Sequence, residues 1–314
     1  MKKKILILLT GLVLGLSSAW AKGVGGCVIL QHAGNETFFE AQDAQAAMDA
    51  AVEGDTLVFA EGQNIDVYPR ITMNKKVYII SSGYLRINLE IPGNPSLDEC
   101  LFQTYQHWNW IEIFVKSDLQ RLYLNDTFVY VHANTENVTV GSLEMDRCRI
   151  WGIWYNSGLK KIVANNSQFF WSLYSSGEND AVESAKFTNC YFEMGQLNIT
   201  NATFNNCILR YTGDSQFTIA GCTFNKCLMN NGDVWVMGEG SSKTDCYDLD
   251  GDTFSNDKDY LTTNNYLGSD GTVVGEYGGT NPYIGGCTIA PRASLYNLNK
   301  KGNKMSPSLY IYDR

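Results

Sequence analysis

Phe187-Thr188-Asn189-Cys190-Tyr191-Phe192, Phe204-Asn205-Asn206-Cys207-Ile208-Leu209 and Phe224-Asn225-Lys226-Cys227-Leu228-Met229 are three versions of one six-residue phrase, and their reading decides the fold. Met145 to Ile150 around Cys148 and Leu97 to Phe102 around Cys100 have the same form. Three more segments join if the centre is another small residue: Tyr123 to Phe128 around Asp126, Ala164 to Phe169 around Ser167, and Leu249 to Phe254 around Asp252. The centres recur about every 22 residues along the chain. A period of that size marks a repeat architecture, in which each unit buries its apolar face only against its neighbours.

Apolar residues stand at −3 and +2 around each centre, five positions apart. In one unbroken strand those side chains would point to opposite faces, because the side-chain period is two. A single residue in the left-handed conformation between them turns both inward. The residue before the centre is Asn125, Asn166, Asn189, Asn206 or Gly251 in five of the eight units, the residue types that enter that conformation at least cost. Each unit is therefore strand, tight turn, strand. Stacked, the units give an all-β, right-handed parallel β-helix, a solenoid of eight to ten coils. Residues 39–53 (FEAQDAQAAMDAAVE) supply an N-terminal capping helix, with Ala44, Ala47, Met48 and Ala51 at helical spacing and Gly54-Asp55 at its end.

Composition agrees with a large core: 314 residues, 44% hydrophobic and 18% charged, are too apolar for a disordered chain. A net charge of −9 excludes the basic footprint of a nucleic-acid binder. Lys2, Lys3 and Lys4, the apolar run 5–16 and the small residues ending at Ala21 form a secretory signal peptide, 1–21, whose removal takes the charge to −12. An alternative uses Cys27, after Val24-Gly25-Gly26, as a lipid-attachment site, although Lys22 and ten residues separate it from the apolar run. No second long apolar run predicts a membrane span. Residues 22–38 then form a linker, 39–268 the capped β-helix, and 269–314 a glycine-rich closing segment and tail. Nine cysteines in an exported chain invite disulfides. Their place at the repeat centres favours a ladder of small buried residues instead, which accommodates the odd count.

The stretches AMDAAVEGDTLVFAEG (47–62) and KKVYIISSGY (75–84), the Cys-centred units, and Ser269-Asp270-Gly271-Thr272-Val273-Val274-Gly275-Glu276-Tyr277-Gly278-Gly279-Thr280-Asn281-Pro282-Tyr283 together resemble the right-handed parallel β-helix proteins secreted by Bacteroidetes-type bacteria, within the pectate-lyase-like superfamily. Asn264 to Gly268 depart from the small-residue run that usually precedes the closing motif in that group. The resemblance implies the fold and a place outside a Gram-negative cell, secreted or on its outer surface. It implies no particular chemistry.

A glycoside hydrolase would need two carboxylates within about 5–10 Å, and on a solenoid they should recur at equal offsets in adjacent units. Glu144, Asp146, Glu183 and Glu193 share no offset, and Arg147, Arg149 and Arg210 do not stack, which points away from an enzyme. Asp248, Asp250, Asp252, Asn256 and Asp259 have the oxygen spacing of a calcium loop, but Thr253 stands where that loop needs Gly, and the same stretch also fits the last repeat turn. Trp110, Trp151, Trp154, Trp171 and Tyr174, with Trp108 nearby, fall in successive coils, either as an exposed stack facing sugar rings or as packing between loops. The expectation is a non-enzymatic scaffold that binds a polysaccharide, a cell-surface glycan or another surface partner, with no cofactor other than calcium. The alternatives are a polysaccharide lyase or glycoside hydrolase working in a groove along the helix, and a purely structural or adhesive protein.

Overall fold

A computed structural model of the chain describes residues 27–60, 69–98, 101–104, 110–175, 182–194, 196–197, 199–211, 217–230, 235–249, 258–280, 282, 292–301 and 304–312. The expected signal peptide, Trp108 and the repeat centres Cys100 and Asp252 lie outside the described residues.

The described chain opens with β1 (Cys27–His32) and β2 (Asn35–Glu40), a 3-10 turn and helix α1 (Ala44–Ala50). Next come β3 (Thr56–Ala60), β4 (Arg70–Met73), β5 (Tyr78–Ser81), β6 (Leu85–Leu89), β7 (Ser96–Leu97), β8 (Phe102–Thr104) and β9 (Ile111–Val115). Strand pairs then repeat: β10 (Leu119–Asn125) with β11 (Phe128–Ala133), β12 (Val140–Asp146) with β13 (Arg149–Tyr155), and β14 (Lys161–Asn165) with β15 (Gln168–Ser175). β16 (Ser184–Thr188) leads to β17 (Tyr191–Met194) and the short β18 (Gln196–Leu197), and β19 (Ala202–Asn205) to β20 (Ile208–Tyr211) and β21 (Phe217–Ile219). β22 (Thr223–Asn225) precedes β23 (Leu228–Asn230) and β24 (Trp235–Met237), and β25 (Ser242–Thr244) precedes β26 (Tyr247–Leu249). Helix α2 (Lys258–Thr263) and the hairpin β27 (Arg292–Lys301) with β28 (Lys304–Tyr312) complete the elements.

The first strand of each pair joins an eight-stranded sheet, ordered β25-β22-β19-β16-β14-β12-β10-β7. The second joins an eleven-stranded sheet, ordered β26-β23-β20-β17-β15-β13-β11-β9-β6-β4, with β18 beside β15. Pairing in both is parallel, coil upon coil, giving an all-β parallel solenoid of about eight turns.

The corner between the two sheets has the expected conformation. Asp126, Arg147, Asn166, Asn189, Asn206, Lys226 and Asp245 all have φ between 49° and 54°. On either side of six of these corners the residues at −3 and +2 from the centre point inward, as Phe187 with Phe192, Phe204 with Leu209 and Phe224 with Met229, all buried. Two details differ from the sequence reading. Asp126 is itself the left-handed residue, so the centre of that unit is the buried Thr127, flanked by Leu124 and Val129. A seventh corner, Asp245-Cys246, has Lys243 and Asp248 where the other coils carry core residues, in register with Phe224 and Met229. Lys243 Nζ and Asp248 pair at 2.8 Å, so on these outermost strands a solvent-accessible ion pair stands at the positions that the other coils fill with core residues.

The ladder of small residues has a polar task besides its packing. Ser and Cys centres donate back to the carbonyl two residues earlier: Ser167 Oγ to Asn165 at 2.8 Å, Cys190 Sγ to Thr188 at 3.3 Å, and Cys207 Sγ to Asn205 at 3.3 Å. The left-handed residue donates its N–H to the next coil, as Asn189 does to Asn205 O at 3.0 Å, so this amide stays paired at the turn. Cys148, Cys190, Cys207, Cys222, Cys227 and Cys246 are free thiols, as a ladder requires. Inside, Phe187, Phe204 and Phe224 stack at 4.9 and 4.8 Å.

At the N-terminal end the expected linker is corrected in part: residues 27–38 lie in a hairpin. Ala33 and Gly34 both have positive φ, 47° and 83°, the two-residue turn whose twist suits antiparallel strands. β1 pairs with β2 and β3. The helix is shorter than 39–53, because Phe39 and Glu40 belong to β2. α1 buries Ala44, Ala47 and Met48, and its Gln45 side chain binds the backbone of Thr72, accepting its N–H at 2.7 Å. That amide satisfies part of the edge of β4, the outermost strand of its sheet.

The glycine-rich segment does not sit at the end of the stack. From Tyr266 to Thr280 it runs back along the corner, anchored rung by rung. Asp245 accepts from Ser269 N at 2.8 Å, Lys226 Nζ reaches Asp270 at 2.5 Å, and Asn189 Nδ2 donates to the carbonyls of Glu276 and Gly278 at 2.8 and 2.7 Å. Close approach explains its glycines: a Cβ on Gly275 would lie 2.9 Å from Leu228, and one on Gly279 2.7 Å from Asn206 Nδ2. Under this strap Tyr191, Ile208 and Leu228, which face outward from the eleven-stranded sheet, are buried against Leu261, Val273 and Val274.

Candidate functional site

The outer face of the same sheet is different in the coils before the strap. Between β11 and β13 the register runs Val129↔Ile150 and then Tyr130↔Gly152, leaving Trp151 as an extra residue. Between β13 and β15 it runs Ile150↔Phe169 and then Gly152↔Ser172, leaving Phe170 and Trp171 opposite Trp151. Each coil is bulged at a tryptophan, and a bulge re-aims a side chain out of the regular alternation. Trp110 and Trp151 lie parallel at 5.0 Å, and Trp171 meets Trp151 edge to face at 5.6 Å. This is the first aromatic row.

A second row needs no bulge. Phe114, His132, Trp154 and Tyr174 are direct register partners across β9, β11, β13 and β15. Phe114 and His132 stack at 4.1 Å, His132 meets Trp154 edge to face at 5.5 Å, and Trp154 lies 6.3 Å from Tyr174. Between the rows runs a strip of register partners, Tyr130, Gly152 and Ser172. A Cβ on Gly152 would come within 3.1 Å of both Ser172 and Tyr130, so the strip has no room for a side chain there.

The five tryptophan and tyrosine candidates thus share one face, but not one role. Trp110 and Trp151 use a face on each other and are half-buried. Trp171 is 53% and Trp154 40% exposed, and these two present free aromatic surface, with Tyr174 beside Trp154.

At the head of the strip is a polar cluster that the sequence reading missed. Glu112 on β9 accepts from His132 Nε2 at 2.9 Å, from Tyr84 Oη and from Arg86 Nε, and Arg86 Nε also reaches Tyr84 Oη at 2.8 Å. Glu112 is only 5% and His132 7% exposed. Burial alone would raise the Glu112 carboxyl, but the three donors outweigh it and hold its pKa at about 2. Burial, and then the bond to Glu112, push the Tyr84 phenol up to about 12. An ionised carboxylate can only accept, so the shared proton on Nε2 belongs to the imidazole. Side chains from three neighbouring strands do converge, but around an enclosed carboxylate that is ionised at neutral pH and has no proton to give there. The signal is the coil period itself: Arg86, Glu112 and His132 are 26 and 20 residues apart. A search tied to the small-residue centres passes over it, because no described centre of that kind accompanies Arg86 or Glu112.

The acids of the middle coils are engaged singly. Glu144 pairs with Arg121 at 2.6 Å, Glu193 with Arg210 at 3.3 Å and Glu183 with Lys160 at 3.8 Å. Arg147 binds both Asp126 and Asp146 at 2.9 Å and so braces its own corner. Arg149 lies between Phe128 and Phe170, 5.3 and 4.8 Å from their ring centres. Of the calcium-loop candidates, Asp248 is the partner of Lys243, and Asp259 lies exposed in the first turn of α2. Asp250, Asp252 and Asn256 lie outside the described residues. Among the described residues no group of three or more His, Cys, Asp or Glu side chains is placed to hold a metal ion, and no helix is long and apolar enough to cross a membrane.

Comparison with protein-family models, with curated proteins and with solved structures gives no match to this chain.

Proposed function

We propose that the protein is an exported, non-catalytic scaffold that binds a glycan on the aromatic face of its eleven-stranded sheet. One observation carries the reading. Trp154 and Trp171 stay exposed in two adjacent coils, flanking a polar strip with a glycine at its centre, while the outward Tyr191, Ile208 and Leu228 farther along that sheet are covered. Exposed indoles grouped on one face of a folded chain form an apolar patch of the kind that marks an interaction site. Flat rings beside hydrogen-bonding groups suit the apolar faces and hydroxyls of a sugar. The basic and apolar N-terminus supports export, and the resemblance to secreted β-helix proteins supports a location outside a Gram-negative cell, free or on the outer surface.

A glycan array tests this directly. Wild type binds at least one oligosaccharide class, and Trp154→Ala and Trp171→Ala reduce the signal while keeping the far-UV spectrum of the fold. An array with no binder would sink the proposal. The convergence of Arg86, Glu112, His132 and Tyr84 gives some support to a second reading, a polysaccharide lyase or hydrolase. Against it stands the low pKa of Glu112, which suits neither a proton donor nor a base at neutral pH. Release of new reducing ends from a polysaccharide panel, lost in Glu112→Gln, would favour that reading instead.

A further inference from the structure

We infer that the buried Glu112–His132 pair positions Trp154 for its ligand, an inference that rests on the glycan-binding reading. Trp154 faces solvent on one side, so its orientation depends on what holds the other. The described contacts are His132 at 5.5 Å and 87°, Tyr174 at 6.3 Å and Tyr130 at 6.4 Å. His132 is the nearest of these, and it is fixed twice: stacked on Phe114 at 4.1 Å, and tied through Nε2 to Glu112 at 2.9 Å. Glu112 cannot swing away, because Tyr84 and Arg86 occupy its other oxygen. A chain of contacts therefore runs from Arg86 through Glu112 and His132 to the indole. Trp171 is reached from Glu112 only by a longer chain, through Tyr84, Trp110 and Trp151, whose rings meet at 5.4, 5.0 and 5.6 Å. Its described ring contact is Trp151, in the other row. An indole already held in place loses less side-chain freedom on binding, which strengthens binding without any added contact.

The structure thus assigns Glu112 a larger effect on Trp154, one ring away, than on Trp171, three rings away. The test labels the protein with 5-fluorotryptophan and assigns the resonances of residues 154 and 171 with Trp154→Phe and Trp171→Phe. Glu112→Ala should shift or broaden the Trp154 signal more than that of Trp171, and His132→Phe, which leaves Tyr84 tied to Glu112, should move the Trp154 signal alone. Binding is then measured by calorimetry on a panel of neutral and acidic hexasaccharides. Glu112→Ala should weaken the tightest of them by about tenfold. In the Trp154→Ala background it should cost nothing further, whereas with Trp171→Ala the two losses should add. Glu112→Gln, which keeps an acceptor for Arg86 and Tyr84, should recover most of the affinity. Should Glu112→Ala fail to fold, His132→Phe replaces it, since it keeps the ring against Phe114 and Trp154 but removes the tie. An unmoved Trp154 resonance, or an equal loss of affinity with and without Trp154, overturns the inference. A panel with no binder removes the glycan reading, while the fluorine spectra still decide whether Glu112 sets the indole.

Discussion

Two lengths of one sheet face are treated in opposite ways. In β17, β20 and β23 the outward residues nearest the corner are Tyr191, Ile208 and Leu228, and the strap 266–280 buries all three. In β11, β13 and β15 the outward residues include Tyr130, His132, Trp151, Trp154, Trp171 and Tyr174, and among the described residues Trp154 and Trp171 stay exposed. The difference teaches how to read the exposure. A chain able to cover the outside of its sheet has done so over mainly aliphatic residues and has left Trp154 and Trp171 in the open. Each length also has its own brace: backbone bonds from a glycine-rich strap in one, a buried ionic cluster in the other.

The severest way to break the comparison is to remove the core that both lengths share. Phe204 lies between Phe187 and Phe224 in the internal stack. Phe204→Ala should cost about 3–5 kcal/mol in denaturant unfolding, and strap and aromatic face should be lost in a single transition.

Acid separates the two braces. The Glu112 carboxyl is held at about 2, below its ordinary 4.5, so the unfolded chain takes up that proton first. Its contribution is complete above about pH 4.5 and is lost as pH falls toward 2, a change of about 3 kcal/mol. The stability difference between wild type and Glu112→Gln should therefore shrink across that window and change little with salt, because the pair is enclosed. Asp270, on the strap, is also held at about 2, first by its bond from Lys226. Being exposed, it should lose its effect in high salt. Unfolding measured against pH at two salt concentrations tells them apart.

How much of this was legible in the sequence follows from what sets each position. The fold was readable because burial on both sides of a tight turn imposes a pattern at −3, 0 and +2, and Phe187, Phe204 and Phe224 repeat it. The corner residue was less so. Arg147 and Lys226 adopt positive φ although neither is Asn or Gly, because the flanking strands dictate the turn and the residue accepts the strain. The Asp245-Cys246 coil was invisible to a search for apolar flanks, since Lys243 and Asp248 fill them. The site was half legible. Tryptophans at coil spacing were conspicuous, but the bulges at Trp151 and Trp171 depend on register between strands, and Glu112 matters only through partners a whole coil away.

Corner asparagines sharpen the comparison on a smaller scale. Asn189 and Asn166 have the same conformation, φ 54° and 49°, in neighbouring coils. Asn189 holds two strap carbonyls, whereas the Asn166 Oδ1 is buried with no hydrogen-bond partner. Alanine at either position incurs the left-handed penalty of about 1–2 kcal/mol. At 189 the loss of two buried bonds adds about 1 kcal/mol each, whereas at 166 removing an unsatisfied oxygen offsets part of the strain. Urea unfolding of the two variants should differ by about 2 kcal/mol, and equal losses would mean the strap is not held at Asn189.

The smallest expected effect on stability separates a binding surface from a packed one. Trp171 is 53% exposed, and its described ring contact is the edge of Trp151. Surface substitutions away from special features change stability by no more than about 0.5 kcal/mol. Trp171→Ala should stay near that limit, while an outward residue under the strap, in Leu228→Ala, should lose about 2–5 kcal/mol, because Leu228 is fully buried. A residue so large that can be removed so cheaply contributes little to the fold, and its presence calls for a different explanation. If Trp171→Ala instead destabilises the chain as much as Leu228→Ala does, the two lengths of the sheet are alike. The aromatic row is then packing, and the argument for a ligand on that face fails with it.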